Sequence, residues 1–201
     1  MKRGQVILIA LVLLVGVAIA AGAAMLHNGL SARATPTALE AFFARHAHRL
    51  SIPSNARNTH NPMPASEENL KGARDHFADH CSSCHANDGS GDTMYGKGLY
   101  PKPPDLRQPE TQNLSDGELF WIIENGVRFT GMPAFGGGHG SEDDSWKLVL
   151  FIRHLPQLAE QERVDMEKMN PKGPEDFDEE REEHDFLGGA PVQQKAPAKH
   201  H

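Results

Sequence analysis

Hydrophobic and polar positions divide this chain into one long apolar run and a series of short amphipathic segments. From Val6 to Leu26 there is no charged or strongly polar side chain, and a helix of that length, at 1.5 Å rise per residue, spans the ~30 Å hydrocarbon core of a bilayer. Beyond it, Thr35-Pro36 followed by Leu39, Phe42, Phe43 and Leu50 predicts a short capped helix with one apolar stripe. Pro53, Pro62 and Pro64 among Ser, Asn and Thr predict a linker, with a domain boundary near Ala65. Ser66-Glu67-Glu68-Asn69 opens a helix, acids in its first turn, that runs into Cys81. Gly and Pro are dense from Asp88 to Leu106, which predicts a long ordered loop. Ser115 and Glu118 form a capping-box pattern ahead of Leu119, Phe120, Ile122 and Ile123, and Asn125-Gly126 ends that helix. After a second loop holding Gly131-Met132-Pro133, Asp143 or Asp144 caps a last helix with Trp146, Val149, Leu150 and Ile152 on one face, and Pro156 closes it. No stretch alternates as a strand would, so the expectation is an all-α fold.

These elements give an organisation of 1–5 as a cytoplasmic N-terminus, 6–26 as a transmembrane anchor, 27–64 as stalk and linker, 65–156 as the main domain, and 157–201 as a helical then acidic tail. Lys2 and Arg3 precede the apolar run, and the positive-inside rule then sends everything after it across the cytoplasmic membrane, into the periplasm or an equivalent extracytoplasmic space. Ala18-Ile-Ala20 and Ala21-Gly-Ala23 resemble cleavage sites, but the run is longer than a typical signal h-region, and a retained anchor is the preferred reading. With 201 residues, 19 Gly, 14 Pro and 6% aromatics, the chain has material for one modest, loop-rich core. The net charge of -7, with two of the cations ahead of the anchor, argues against nucleic acid as a partner. Residues 175–185 hold eight acids and one Arg, and the chain ends in His200 and His201; this tail is expected to be disordered.

The two cysteines of the chain stand together in Cys81-Ser82-Ser83-Cys84-His85. Two thiols three positions apart lie on one side of a helical turn, where they can form thioethers to the two vinyl groups of one porphyrin. His85, next in sequence, reaches the iron. C-x-x-C-H is accordingly read as a c-type haem attachment site. A thioredoxin-like dithiol needs a βαβ context that these helices and loops lack. Structural zinc needs a second ligand pair, and no other Cys exists.

The CSSCH motif, taken with the later Gly131-Met132-Pro133, resembles the class I monohaem c-type cytochromes, more specifically the small membrane-anchored bacterial type, over about Ala65 to Leu155. Phe77, four residues before Cys81, is similar to the family's N-terminal helix aromatic, with Ala73 as the small residue before it. Phe151-Ile152-Arg153-His154-Leu155 is similar to its C-terminal helix signature. Ala86 departs from the family, which often has Gly there. The resemblance implies a small all-α cytochrome c domain with Gly/Pro-rich loops wrapped round one haem. It implies Cys81 and Cys84 as covalent attachment points, and a proline carbonyl, that of Pro104 in preference to Pro103, accepting from the Nδ1–H of His85.

For the sixth position, Met94 is only nine residues beyond His85, a short reach to the opposite face, whereas Met132 is 47 residues on in a Gly-bounded loop similar to the family's ligand loop. His85 and Met132 are therefore the expected axial pair, with His139 as runner-up. Phe120, Ile123, Phe129 and Phe135 are expected to line the pocket.

A six-coordinate haem has no open site for substrate, which points to an electron carrier and not an enzyme. The expected partners are redox proteins of a respiratory chain: a quinol-oxidising complex on one side, a terminal oxidase or dehydrogenase on the other. A cytochrome subunit of a larger dehydrogenase or oxidase is the alternative. A haem peroxidase or sensor has no acid–base constellation near the motif to support it, and metal sequestration by scattered His is weaker still.

Overall fold

In a computed structural model the described residues are 3–27, 29, 31–137, 141–172, 181 and 187. They form ten α-helices and no strand: α1 (Arg3–His27), α2 (Ala38–Ser51), α3 (Ser54–Arg57), α4 (Glu67–His80), α5 (Ser82–His85), α6 (Met94–Gly98), α7 (Pro109–Gln112), α8 (Asp116–Asn125), α9 (Glu142–His154) and α10 (Glu160–Glu167). The all-α expectation holds.

α1 is apolar on every side, and no residue of its stretch Arg3–Ala24 is buried by the rest of the chain. A 22-residue stretch of this kind is about 33 Å long, enough for a bilayer core.

The core is built on the packing of α4 against α9. Phe77 and Phe151, 1% and 0% exposed, meet with ring centroids 5.1 Å apart. Ala73 and Ala78 let the α4 backbone come close, and Val149, Ile152 and Leu155 fill the interface. α8 packs on α9 through Phe120, whose ring stacks on Trp146 at 4.0 Å. Arg153 locks the same pair: its guanidinium donates to Asp116 Oδ1 (3.0 Å) and to the carbonyl of Gln112 (2.6 Å), just ahead of α8.

Helix caps follow the sequence with two exceptions, the first being α2, which is capped by Thr37 with Glu40 and not at Thr35-Pro36. Ser66 caps α4, and Ser115 with Glu118 forms the expected box on α8. α9, expected to be capped by Asp143 or Asp144, is instead capped by Ser141, with Asp144 as the reciprocal third residue of its own box. Serine takes the cap because its short hydroxyl reaches the amide of Asp144 while the Asp144 carboxylate returns to the Ser141 amide.

Two segments read as peripheral belong to the packed unit. Within the expected linker Ser51–Pro64, Ile52 is buried, at 2% exposure. α3 rests so closely on α8 that a Cβ on Gly117 would lie 1.8 Å from the Ala56 carbonyl, and Asn61 donates to the Trp146 carbonyl at 2.9 Å. The polar, proline-rich composition hid this packing because it rests on one isoleucine and on backbone contacts. After Pro156, α10 packs on α4 with Met166 fully buried, and Asn170 presents its carboxamide to the carbonyls of Ala78 and Met166. The acidic stretch beyond it lies outside the described residues except for Arg181.

Met166→Ala should therefore cost about 2–4 kcal/mol, the range for emptying a well-packed methionine site, read as a shift in the urea midpoint. Met169→Ala, at a side chain 38% exposed, should leave the midpoint almost unchanged; equal effects would show that α10 is not part of the core.

Candidate functional site

α4 ends where the chemistry begins. Cys81 is both its C-cap and the residue that opens α5, and the amides of Cys84 and His85 return to the Cys81 carbonyl at 3.2 and 2.9 Å. Ser82, buried, ties this turn to α4 by donating to the Ala78 carbonyl at 2.6 Å. Thr93 Oγ1 donates to the Ser83 carbonyl at 2.7 Å, and α6 then crosses the turn so closely that only glycine fits at position 96: a Cβ there would stand 2.7 Å from the Cys84 carbonyl. The long Gly/Pro-rich segment thus contains a short helix that braces the motif, where the sequence predicts loop alone. The segment is closed at its neck by Leu106 N donating to Gly89 O at 2.8 Å.

The three motif side chains share one environment. Cys81 packs against the core, and burial, with the neighbouring Cys84, pushes its thiol up to about 12. A redox dithiol requires a lowered thiol, the opposite of the shift at Cys81. Burial also pushes His85 down to about 4, which leaves the imidazole neutral, with a lone pair free to ligate, at any physiological pH. Its Nδ1 is buried and has no hydrogen-bond partner. The carbonyl of Pro104 does not accept from it, and Pro104 itself is exposed. Gly91, which donates to the His85 carbonyl at 2.8 Å, packs against the Pro103 carbonyl, 3.0 Å from where a Cβ on Gly91 would stand.

The loop carrying Met132 returns onto the end of α8. Val127 donates to the Met132 carbonyl at 3.1 Å, and Phe135 and Gly136 donate to the carbonyls of Ile123 and Glu124, each at 3.0 Å. Gly131 lies against the Leu99 side chain, so this loop meets the Gly/Pro-rich loop. Met132 and Phe135 are half-buried, and Ile123 is buried. Met94 projects from α6 at 78% exposure, on the element that braces the CSSCH turn itself. Met166 is core filling behind α4. Phe129, expected in the pocket, is 91% exposed with φ 63°. His139 lies outside the described residues.

Two groups were not singled out by sequence. His48 on α2 has a buried, unpartnered Nε2, and burial holds its pKa below the usual value. Arg107 grips Asp105 through Nε at 2.8 Å and Asp88 through Nη1 at 2.8 Å, a clamp across the two ends of the long loop. A basic residue flanked at a distance by acids gives no periodic signal, which is why only the fold reveals it.

Residues 68–152 match the family described as Cytochrome C oxidase, cbb3-type, subunit III. No curated protein matches the chain. The matched segment begins in α4 and ends in α9, and the family implies a c-type haem. The donors fit such a group: two unpaired thiols and a neutral, buried imidazole on one turn. Among the described residues no cluster of three His, Cys, Asp or Glu side chains offers a competing metal site.

Ala86 adopts φ 60°, ψ 159°, a conformation natural only to glycine and costly for alanine by about 1–3 kcal/mol. Ala86→Gly should accordingly stabilise the protein by about 1 kcal/mol after the entropy lost from a freer unfolded chain, measured by thermal or urea unfolding; a destabilised variant would contradict the strain.

The Arg107 clamp predicts a pH dependence. Hydrogen bonding from Arg107 holds the Asp105 carboxyl well below its usual range. At Asp88 burial pushes upward, but hydrogen bonds from Ser90 and the Arg107 charge outweigh it and the net shift is downward. Carboxylates with depressed folded values stabilise above their unfolded pKa, near ~3.9, and lose that contribution as pH falls through the folded values. Urea midpoints of wild type should fall more steeply than those of Arg107→Gln as pH drops below about 4, and the gap between the two should close; parallel curves would show the clamp to be electrostatically idle.

Proposed function

With residues 68–152 a class I c-type cytochrome domain, we propose that the chain is a membrane-tethered electron-transfer protein. It holds one covalent haem c, is anchored by α1, and exposes its domain in the periplasm or an equivalent extracytoplasmic space. The observation that carries this reading is the turn at the end of α4, which groups two free thiols with a buried neutral imidazole. When bound, the haem supplies a one-electron ferric/ferrous couple.

Cys81 and Cys84 would hold it by thioethers, and His85 and Met132 would be the side chains that ligate its iron. Burial of His85 keeps its nitrogen unprotonated, so ligation does not compete with protons near neutral pH. Met132, a soft thioether, favours the reduced state and raises the potential. An iron ligated by both His85 and Met132 would leave no open position for substrate, so the function is to relay electrons and not to transform a substrate. The partners are redox proteins of a respiratory chain, a quinol-oxidising complex on the donor side and a terminal oxidase on the acceptor side.

A second reading, a resident cytochrome subunit of an oxidase, is favoured by the matched family's description. The two separate on isolation: a carrier is recovered from mild detergent without stoichiometric oxidase, and a subunit co-purifies with it.

Met132→Ala should abolish the weak far-red band of the ferric protein and open the iron to carbon monoxide. It should also lower the potential by on the order of 0.1 V, within the ~0.8 V that axial ligands command. Ready carbon monoxide binding by wild type, or survival of the band in the variant, would remove Met132 from the iron.

A further inference from the structure

α2 is turned inside out for a helix of a soluble domain. Leu39, Phe42, Phe43 and Leu50 are 67%, 47%, 61% and 79% exposed, and at 3.6 residues per turn Leu39, Phe43, His46 and Leu50 share one face, with Phe42 at its edge. The residues of α2 that are half-buried are Glu40, Ala41 and His48, which lie on the other side. That side is held to the domain by polar contacts. Tyr100 donates to the Glu40 carboxylate, Arg57 donates to the Arg49 carbonyl, and Arg49 stands 3.9 Å from Glu118. The helix has a complete capping box, Thr37 with Glu40, so its position is defined by its own sequence as well as by its contacts.

Four large apolar side chains facing outward on one short helix demand a cover. The chain supplies a specific one. α2 begins only ten residues after α1 ends, a connection that extends to at most ~36 Å, so the stripe cannot leave the neighbourhood of the bilayer that α1 crosses. Arg45 and Arg49 lie along its border, and Arg33 stands in the connection, which suits anionic headgroups. We infer that α2 is an interfacial helix: its Leu39/Phe42/Phe43/Leu50 stripe lies in the lipid surface, and its opposite side fixes the cytochrome domain to the membrane in one orientation. The inference rests on the anchor reading of α1. Its consequence is that the domain does not swing on a free stalk; the side bearing Tyr100 and Glu118 is presented to the membrane.

The test uses the full-length haem-loaded protein in vesicles of phosphatidylcholine with added phosphatidylglycerol. With Cys81 and Cys84 consumed as thioethers, a single introduced cysteine is the only thiol to label with a nitroxide. Phe43→Cys and Leu50→Cys report the stripe, Ala44→Cys the exposed flank away from it, and Val12→Cys the middle of α1. Collisions with dissolved oxygen should dominate at positions 43 and 50, and collisions with a water-soluble nickel chelate should be several-fold fewer there than at 44. Equal nickel accessibility at 43, 50 and 44 overturns the inference. So does protection from both reagents that appears only when an oxidase or quinol-oxidising complex is present, since the cover would then be protein. The label at position 12 separates the two readings: lipid at 12 with water at 43 defeats only the α2 inference, whereas water at 12 defeats the anchor, and lipid at 43 in that case would leave α2 bound by its own stripe.

Discussion

The packing of α4 against α9 is the contact on which the site depends. Phe77 and Phe151 are buried with their rings tilted at 56° to one another and small residues beside them, and each aromatic removed from water contributes about 1.5–3 kcal/mol. The exposed ion pairs scattered over the surface, such as Lys71 with Asp75 at 2.8 Å, contribute at most about 1 kcal/mol each. The interface therefore decides the geometry. It fixes the C-terminal end of α4, and hence the place where Cys81 starts the motif turn. Through Arg153 it also fixes the start of α8, and the far end of α8 launches the loop that carries Met132. Both sides of the site hang from one pair of helices, four residues separating Phe77 from the first cysteine.

Around that rigid frame the motif turn is locally costly. Ala86 holds a glycine-like backbone, the His85 Nδ1 is buried without a partner, and Cys81 and His85 both sit where burial opposes their charged forms. Violations of local rules that cluster at three positions within the six residues Cys81 to Ala86 mark a site shaped for something other than its own stability. Each fits a covalently attached, ligated group: neutral thiols and a neutral imidazole are the forms that remain chemically available in a dry environment, and the sharp reversal after His85 turns the chain back toward α6. The bracing of the turn by Ser82, Thr93 and Gly96 is what lets the strained residues persist.

Much of this was legible in sequence because its signals are local. The CSSCH spacing, the capping boxes and the periodicity of α4, α8 and α9 each need fewer than fifteen residues to state. What was hidden depends on contacts between distant positions. Ile52 and Met166 look like isolated apolar residues in polar stretches, and only their burial in the folded chain reveals them as core. The choice between Pro103 and Pro104 rests on likeness alone, since no local pattern in a proline-rich loop encodes which carbonyl faces a distant imidazole. Ser141 was passed over as a cap because two acids follow it closely, and cap choice turns on which oxygen reaches the third amide.

An apolar anchor and a packed domain meet in this chain through α2, and the character of that junction sets how a tethered redox protein works. A flexible tether raises the local concentration of a carrier near its membrane partners to the millimolar range while leaving it to find the right orientation by rotation. Polar attachments from α2 to Tyr100 and, through Arg49, toward Glu118 instead couple the orientation of the domain to whatever surface holds the exposed side of the helix. If that surface is the bilayer proposed above, association would search two dimensions with one face already excluded, and the loops carrying Met132 and the cysteines would be offered to partners in a restricted set of poses.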